Sequence, residues 1–210
     1  MPCRDSLVKY IETEIIPRYK QFDKAHNLLH VRSVITESLS LSESNHLDEE
    51  MCYTIAAYHD TGIGIDRDTH HILSGQILME DQRLRDWFTE DQLLIMKEAI
   101  EDHRASSKTP PRTIYGKVVA EADRVIDPID TLRRTIQFTL KKNPVDDYTY
   151  HYNATLKHLH EKYARGGYLK LPFEHSRNAD NLRNFQNLIE DEIALKKEFD
   201  VLYKEEVASL

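Results

Sequence analysis

The chain has 210 residues, of which 40% are hydrophobic and 30% charged, and its formal net charge is −8. This length favours a single domain with a buried core, and the composition excludes a disordered chain. The acidic balance provides no general attraction to nucleic acid or to anionic lipid, so we expect neither as a partner. Cys3 and Cys52 are too few for a disulfide scaffold or a cysteine-based zinc site, and we interpret both as reduced thiols.

The N-terminal residues contain Asp5, Glu12 and Glu14 where a secretory signal would need an apolar stretch. No apolar run approaches the roughly 18 residues that suggest a membrane span. We therefore expect a cytoplasmic protein with one domain over residues 1–210.

The apolar residues recur at helical spacing, and alternation typical of strands is hard to find. Residues 47, 51, 55 and 58 are all apolar and step by four, four and three, which places them on one helix face. Short breaks containing glycine or proline separate such runs, as at residues 62–64 and 109–111. The sequence predicts an all-α fold with about eight or nine helices joined by short loops.

The C-terminal third contains a less regular stretch, RGGYLKLPFEHS at residues 165–176, followed by a long helical pattern. We interpret residues 165–176 as a surface loop that could also serve as a lid over a site. Residues 177–205 are predicted to form one C-terminal helix, because apolar side chains recur along them at helical spacing.

Histidine is frequent, with 11 residues, and several lie at predicted helix ends. A histidine at a helix end is usually a capping or surface residue, so each one alone indicates little. Asp123 differs, because it lies among apolar residues in VVAEADRVID, where a carboxylate is costly to bury without a cation or several donors. Imidazole and carboxylate ligands without a thiolate would suit one or two divalent ions of Mn, Fe, Mg, Ni, Co or Zn.

The order of these residues resembles the HD-domain superfamily of metal-dependent phosphohydrolases. DKAHNLLHVRSV is similar to the segment that contains the first ligand histidine, AAYHDTG to the His-Asp helix end, and AEADRVIDPI to the closing aspartate. The resemblance covers roughly residues 20–205 and includes the LKLP stretch at residues 169–172, which is similar to one bacterial subfamily. It implies four metal ligands, namely His30, His59, Asp60 and Asp123.

A subset of this superfamily holds a second metal with two further histidines, one of which is followed four residues later by glycine. His71 with Gly75 fits that place better than His70, and His103 fits the second. Alternatively, His71 and His103 bind substrate phosphate or water.

The resemblance also implies the chemistry. Asp60 would bridge two metals, and an activated water would attack phosphorus in a phosphate ester or nucleotide. The predicted catalytic residues are Asp60, His59 and Arg124. A small phosphorylated substrate is expected to contact His26, Arg104, Lys117, Arg124, Lys170 and Arg177. A homodimer is compatible with the C-terminal helix.

Three alternatives stay open at this point. The same ligands resemble those of the di-iron oxygenases of the superfamily, which cleave a C–C or C–P bond with dioxygen. A catalytically silent module that binds metal or nucleotide for regulation is the second alternative. The third is an all-α interaction protein with incidental histidines, which would bind no metal.

Overall fold

The computed structural model describes residues 3–22, 26–104, 109–143 and 147–209. These residues form ten α-helices and no strand, which confirms the predicted all-α class with slightly more helices than expected. The helices are α1 (Asp5–Tyr10), α2 (Leu28–Ser44), α3 (Glu49–Tyr58), α4 (His70–Glu80), α5 (Glu90–Asp102), α6 (Ile114–Asp123), α7 (Pro128–Lys142), α8 (Tyr148–Lys162), α9 (Arg177–Glu190) and α10 (Glu192–Ala208). A π-helical turn (Ile11–Ile15) and a 3-10 helix (Ile16–Gln21) follow α1 directly, and a second 3-10 helix spans Gln82–Asp86.

The C-terminal segment forms two helices, α9 and α10, where the sequence analysis predicted one helix over residues 177–205. Asp191 separates them, and its side chain accepts a hydrogen bond from the backbone N–H of Ala194. Aspartate is a favoured N-cap residue because it satisfies an N–H group that has no partner within the helix. Ile193 continues the apolar spacing four residues after Ile189 but is exposed, and the next buried apolar residue is Leu195.

Contacts within the chain divide it into two compact units, residues 1–124 and residues 125–210. The prediction of a single domain over residues 1–210 stays a prediction. In the first unit, α4 packs against α5, α5 against α6, and α2 against both α3 and α6. The N-terminal segment joins the same apolar core through Leu7, Ile11, Ile15 and Tyr19.

In the second unit, α7 packs against α8, α9 and α10 around a core that includes Leu132, Phe185 and Phe199. Residues 165–176 contain turns and bends and no helix. Their role as a lid stays a prediction. Among the described residues, no helix combines the length and apolarity needed to cross a membrane.

Candidate metal centre

The first unit brings histidine and aspartate side chains together from the ends of five helices. His30 lies in the first turn of α2, His70 begins α4, and Asp123 ends α6. His59 and Asp60 directly follow α3, and His103 directly follows α5. Side chains at helix ends can converge on one point while the helices themselves diverge into the core.

The start of α2 is fixed by its N-cap. The Asn27 side chain accepts hydrogen bonds from the N–H groups of Leu29 (2.9 Å) and His30 (3.1 Å). Asparagine satisfies two otherwise unpaired N–H groups here and thereby fixes the first turn, which contains His30.

Three of the histidines share one local arrangement. Nδ1 of His59, His70 and His103 lies 2.6–2.8 Å from the backbone carbonyl oxygen three residues earlier, in Ala56, Arg67 and Ile100 respectively. A carbonyl oxygen only accepts, so each Nδ1 carries the proton and each neutral ring keeps a lone pair on Nε2. Bonds of this kind orient metal-ligating imidazoles in proteins.

Asp60 lies between two pairs of imidazoles. Its Oδ2 is 3.1 Å from Nε2 of His59 and 3.5 Å from Nε2 of His30. Its Oδ1 is 3.4 Å from Nε2 of His70 and 3.6 Å from Nε2 of His103. The ligand atoms thus form two groups that share Asp60, and either could hold a metal ion.

Asp123 adds a second carboxylate on the side of the first group. Its Oδ1 is 3.2 Å from Nε2 of His30 and 3.8 Å from Nε2 of His59. The notable apolar setting of Asp123 in the sequence therefore reflects its place at the end of α6, facing two imidazoles.

The described donor set fits a cation. The Nε2 atoms of His70 and His103 are 3.3 Å apart, and both rings have their proton on Nδ1 when neutral. Oδ2 of Asp60 is buried and has no hydrogen-bond donor with acceptable geometry. Lone pairs that face one another in a buried space repel unless a proton or a metal ion lies between them, and these nitrogen and oxygen ligands suit divalent transition metals.

The pKa values of these groups follow from the same arrangement. Burial opposes the charged form of His30, but the adjacent carboxylates of Asp123 and Asp60 outweigh burial and raise its pKa to about 9. Burial also opposes ionisation of Asp60, yet the facing imidazoles hold its pKa far below the usual range. The pKa of Asp123 is lowered as well, against the effect of burial, chiefly by the hydrogen bond from His30. Both carboxylates are therefore anionic at neutral pH.

The structure favours His70 over the predicted His71 for the second group. His70 has its Nε2 near Asp60 and His103, whereas His71 belongs to neither group of candidate ligands. Because successive residues of a helix point about 100° apart, only one of two adjacent histidines can face Asp60. Nδ1 of His71 is buried without a hydrogen-bond partner.

Close packing between the His-Asp turn and α4 sets the position of His70. The N–H of Gly62 donates a hydrogen bond to the Ser74 hydroxyl at 2.8 Å. A Cβ atom on Gly62 would lie 2.6 Å from the carbonyl oxygen of His70, so only glycine allows this approach.

The predicted substrate-binding residues have different surroundings. His26 lies beside His30, with ring centroids 5.9 Å apart, and Arg124 is half-buried directly after Asp123. Lys117 is exposed on α6. Arg104 donates a hydrogen bond to the carbonyl oxygen of Asp68 (2.7 Å), which ties the segment before His70 to the end of α5. Lys170 and Arg177 are exposed residues of the second unit, and contact with a substrate stays a prediction for all six.

The sequence analysis missed Tyr19. Its ring is fully buried, and its hydroxyl donates to the carbonyl oxygen of Ala57 (3.0 Å) and accepts from the N–H of Asp60 (3.3 Å). Burial and the Asp60 carboxylate raise its pKa well above the usual value, so the hydroxyl keeps its proton. Residues 7, 11, 15 and 19 are apolar or aromatic and are spaced by four, a signal of a buried helical face in the N-terminal segment.

Four imidazoles and two carboxylates meet at the helix ends of this unit. This donor set defines the class of the protein as an all-helical domain with a site of the metal-binding type. Residues 28–126 match the family model of the HD domain, and the match includes every histidine and aspartate of the two groups. Residues 28–126 are therefore similar to the HD domain.

The crystal structure of a predicted HD superfamily hydrolase from an uncultured Thermotogales bacterium is similar to this chain, with 16% sequence identity and a TM-score of 0.47. The alignment covers 71% of this chain and 81% of that chain. Among curated proteins, none matches the sequence significantly.

Proposed function

We propose that the protein is a metal-dependent phosphohydrolase that cleaves a phosphate ester or a nucleotide by attack of an activated water molecule. The proposed ligands are His30, His59, Asp60, His70, His103 and Asp123, with Asp60 shared between two metal ions. One observation carries the proposal: within the residues that match the HD domain, each of the two oxygens of Asp60 faces two imidazole Nε2 atoms.

Divalent cations held by these residues would supply positive charge for an anionic substrate and would lower the pKa of a water molecule toward neutrality. The protein's own contribution is orientation. The three Nδ1–carbonyl bonds fix which nitrogen of each ring is available, and the anionic Asp60 gives both groups a common ligand.

Burial differs between the two sides of the cluster and indicates where a substrate would approach. The side chains of His59, Asp60 and His103 are at most 3% exposed. By contrast, His30, His70 and Asp123 are 15%, 12% and 25% exposed. A substrate would therefore approach from the side of these three residues, where His26 lies beside His30 and Arg124 directly follows Asp123.

The test is phosphate release from a panel of nucleotides and phosphomonoesters with added Mn²⁺. Asp60→Asn keeps the volume of the side chain and removes its charge, so we expect it to lose bound metal and to abolish phosphate release. Asp86→Asn is the matched control, because Asp86 is an exposed aspartate of the same unit, paired with Arg83.

Equal phosphate release by wild type and Asp60→Asn would contradict the proposal. Oxygen consumption by the iron-loaded protein, without phosphate release, would instead support the di-iron oxygenase alternative. Stoichiometric metal binding with no turnover of either kind would support the regulatory module.

A further inference from the structure

We propose that Tyr19 is a positioning residue for the metal centre, acting through the turn that carries His59 and Asp60. Tyr19 precedes residue 28, where the HD match begins, so the N-terminal segment would complete a site whose ligands all lie inside the match. The inference rests on the proposed metal centre and adds a residue outside the matched residues 28–126.

The end of α3 shows why an outside partner is needed. The last carbonyl groups of a helix have no partner within it. Here the carbonyl of Ala56 accepts from His59 Nδ1, and the carbonyl of Tyr58 accepts from the N–H and hydroxyl of Thr61. The carbonyl of Ala57 accepts from the hydroxyl of Tyr19, which comes from a segment distant in sequence.

The same hydroxyl also holds the backbone of Asp60. It accepts the Asp60 N–H while it donates to the carbonyl oxygen of Ala57, so one oxygen atom connects the end of the helix to Asp60 in the turn. A tyrosine hydroxyl can do both, because it is a donor and an acceptor at once. Removing it would leave a buried N–H and a buried C=O unsatisfied beside the carboxylate that both ligand groups share.

Tyr19 is itself held firmly by its surroundings. Side chains three residues apart are eclipsed in a 3-10 helix, which places Tyr19 on the same side as the buried Ile16. Its ring is 5.2 Å from the Phe22 ring and 6.3 Å from the His59 ring, centroid to centroid. Leu7, Ile11 and Ile15 anchor the preceding turns in the same core.

The expected consequence is a change in metal affinity. Metal ligands must be held to within about 0.5 Å of their productive geometry, and loss of an outer hydrogen-bond partner typically weakens metal binding about 10- to 100-fold. A turn that can shift at Asp60 would disturb both groups, because each uses one oxygen of that side chain.

The experiment compares Tyr19→Phe with Tyr53→Phe. Tyr53 is also buried, but its hydroxyl donates to Glu12 Oε1 at 3.0 Å and not to the His-Asp turn. Co²⁺ is titrated into each metal-free protein, with the dissociation constant measured by calorimetry and the ligand field by visible absorption. We expect Tyr19→Phe to weaken Co²⁺ binding at least about 10-fold and to alter the spectrum, with Tyr53→Phe like wild type.

A Tyr19→Phe protein with the wild-type affinity and spectrum would overturn the inference, as would equal losses in both variants. Failure of the wild type to bind Co²⁺ would instead contradict the proposed metal centre. If Tyr19→Phe does not fold, amide hydrogen exchange of the wild-type protein provides the test of the inference. The Asp60 amide should exchange as slowly as the core amides of α3, and fast exchange there would overturn the inference.

Discussion

The orientation of each imidazole in the centre is set by a bond that spans three residues. His59 and His103 follow the last residues of α3 and α5, where the carbonyl groups of Ala56 and Ile100 accept from Nδ1. His70 makes the equivalent bond to Arg67 in the segment before α4. The bond settles the tautomer and directs Nε2 toward Asp60, so these histidines are prepared as ligands by their own neighbours in the chain.

At the scale of single residues, an experiment can distinguish whether His70 or His71 is the metal ligand. We expect His70→Gln to remove one metal ion per chain or to weaken its binding about 10- to 100-fold, because Nε2 of His70 lies near Asp60 and His103. His71→Gln should keep the wild-type metal content. Metal analysis after dialysis provides the measurement, and a larger loss in His71→Gln would restore the assignment made from the spacing of His71 and Gly75.

Gly62 provides a second test at the residue scale. In Gly62→Ala the new Cβ would meet the His70 carbonyl oxygen and the Ser74 nitrogen within 3 Å, and backbone atoms cannot move aside. We expect a loss of about 1–3 kcal/mol in the free energy of unfolding. Urea denaturation measures this loss. Gly64→Ala is the matched control, because its Cβ would meet only the side chain of Phe22 at 3.0 Å, and an equal cost there would contradict the explanation.

At the scale of elements, the N-terminal segment is attached to the first unit by a polar link as well as by its apolar residues. Glu12 in the π-helical turn pairs with Arg32 of α2 and accepts a hydrogen bond from Tyr53 of α3. One carboxylate therefore connects the segment that carries Tyr19 to two of the helices that supply ligands.

This link predicts a pH dependence. The hydrogen bond from Arg32 lowers the pKa of Glu12 below its ordinary value of 4.5, against the effect of burial and with help from Tyr53. A carboxyl group whose pKa is lower in the folded state stabilises the fold above the unfolded-state value, and this contribution is lost as the pH falls through the folded-state value.

We expect Glu12→Gln to cost about 0.5–1 kcal/mol of unfolding free energy at pH 7, since the pair is partly exposed, and to cost less at pH 3.5. Denaturant unfolding at the two pH values checks this expectation. A difference between variant and wild type that is the same at both pH values would contradict the assigned cause.

At the scale of the whole molecule, the division into two units places all the candidate ligands in residues 1–124. The chain also has one tryptophan, Trp87, which lies in the same unit, stacks on Tyr10 and donates a hydrogen bond to the Ser6 hydroxyl. Tryptophan fluorescence therefore reports on the unit that contains the centre.

Metal binding should stabilise this unit. A ligand that binds only the folded state adds about 2.7 kcal/mol at a free concentration 100 times its dissociation constant. We expect Mn²⁺ at that concentration to raise the thermal midpoint measured by Trp87 fluorescence by several degrees, and to leave Asp60→Asn unchanged. An equal rise in the variant would show that the ion stabilises the protein from another place.

The sequence was sufficient for the helical class and for the residues that the structure brings together, apart from His70, in whose place it predicted His71. Order along the chain identified His30, His59, Asp60, His103 and Asp123, because the resemblance depends on short segments around each residue. The same approach preferred His71 to His70, since the rotation of α4 depends on the contact of Gly62 with its backbone, which the spacing of His71 and Gly75 does not reveal. The contact joins Gly62 to the backbone of His70, and no local sequence pattern predicts that these two residues meet.

Tyr19 and Asp191 illustrate two other sources of error. The role of Tyr19 depends on hydrogen bonds to residues 57 and 60, which spacing within the N-terminal segment does not reveal. Asp191 is a favoured capping residue, but Ile193 continues the apolar spacing from Ile189, so spacing alone predicts a continuous helix. The structure has two helices where the sequence analysis predicted one over residues 177–205.

The three Nδ1 bonds have a consequence for how the site forms during folding. Each closes a loop of three residues, so the rings acquire their direction as soon as the adjoining helix ends exist. Bringing the ligands together is slower to achieve, because they extend from residue 30 to residue 123. The entropy cost of closing such a long loop grows with its length. The apolar contacts among α2, α3, α5 and α6 close this loop. A mutation that slows the packing of these helices would thus delay assembly of the site, although the imidazole rings are already oriented.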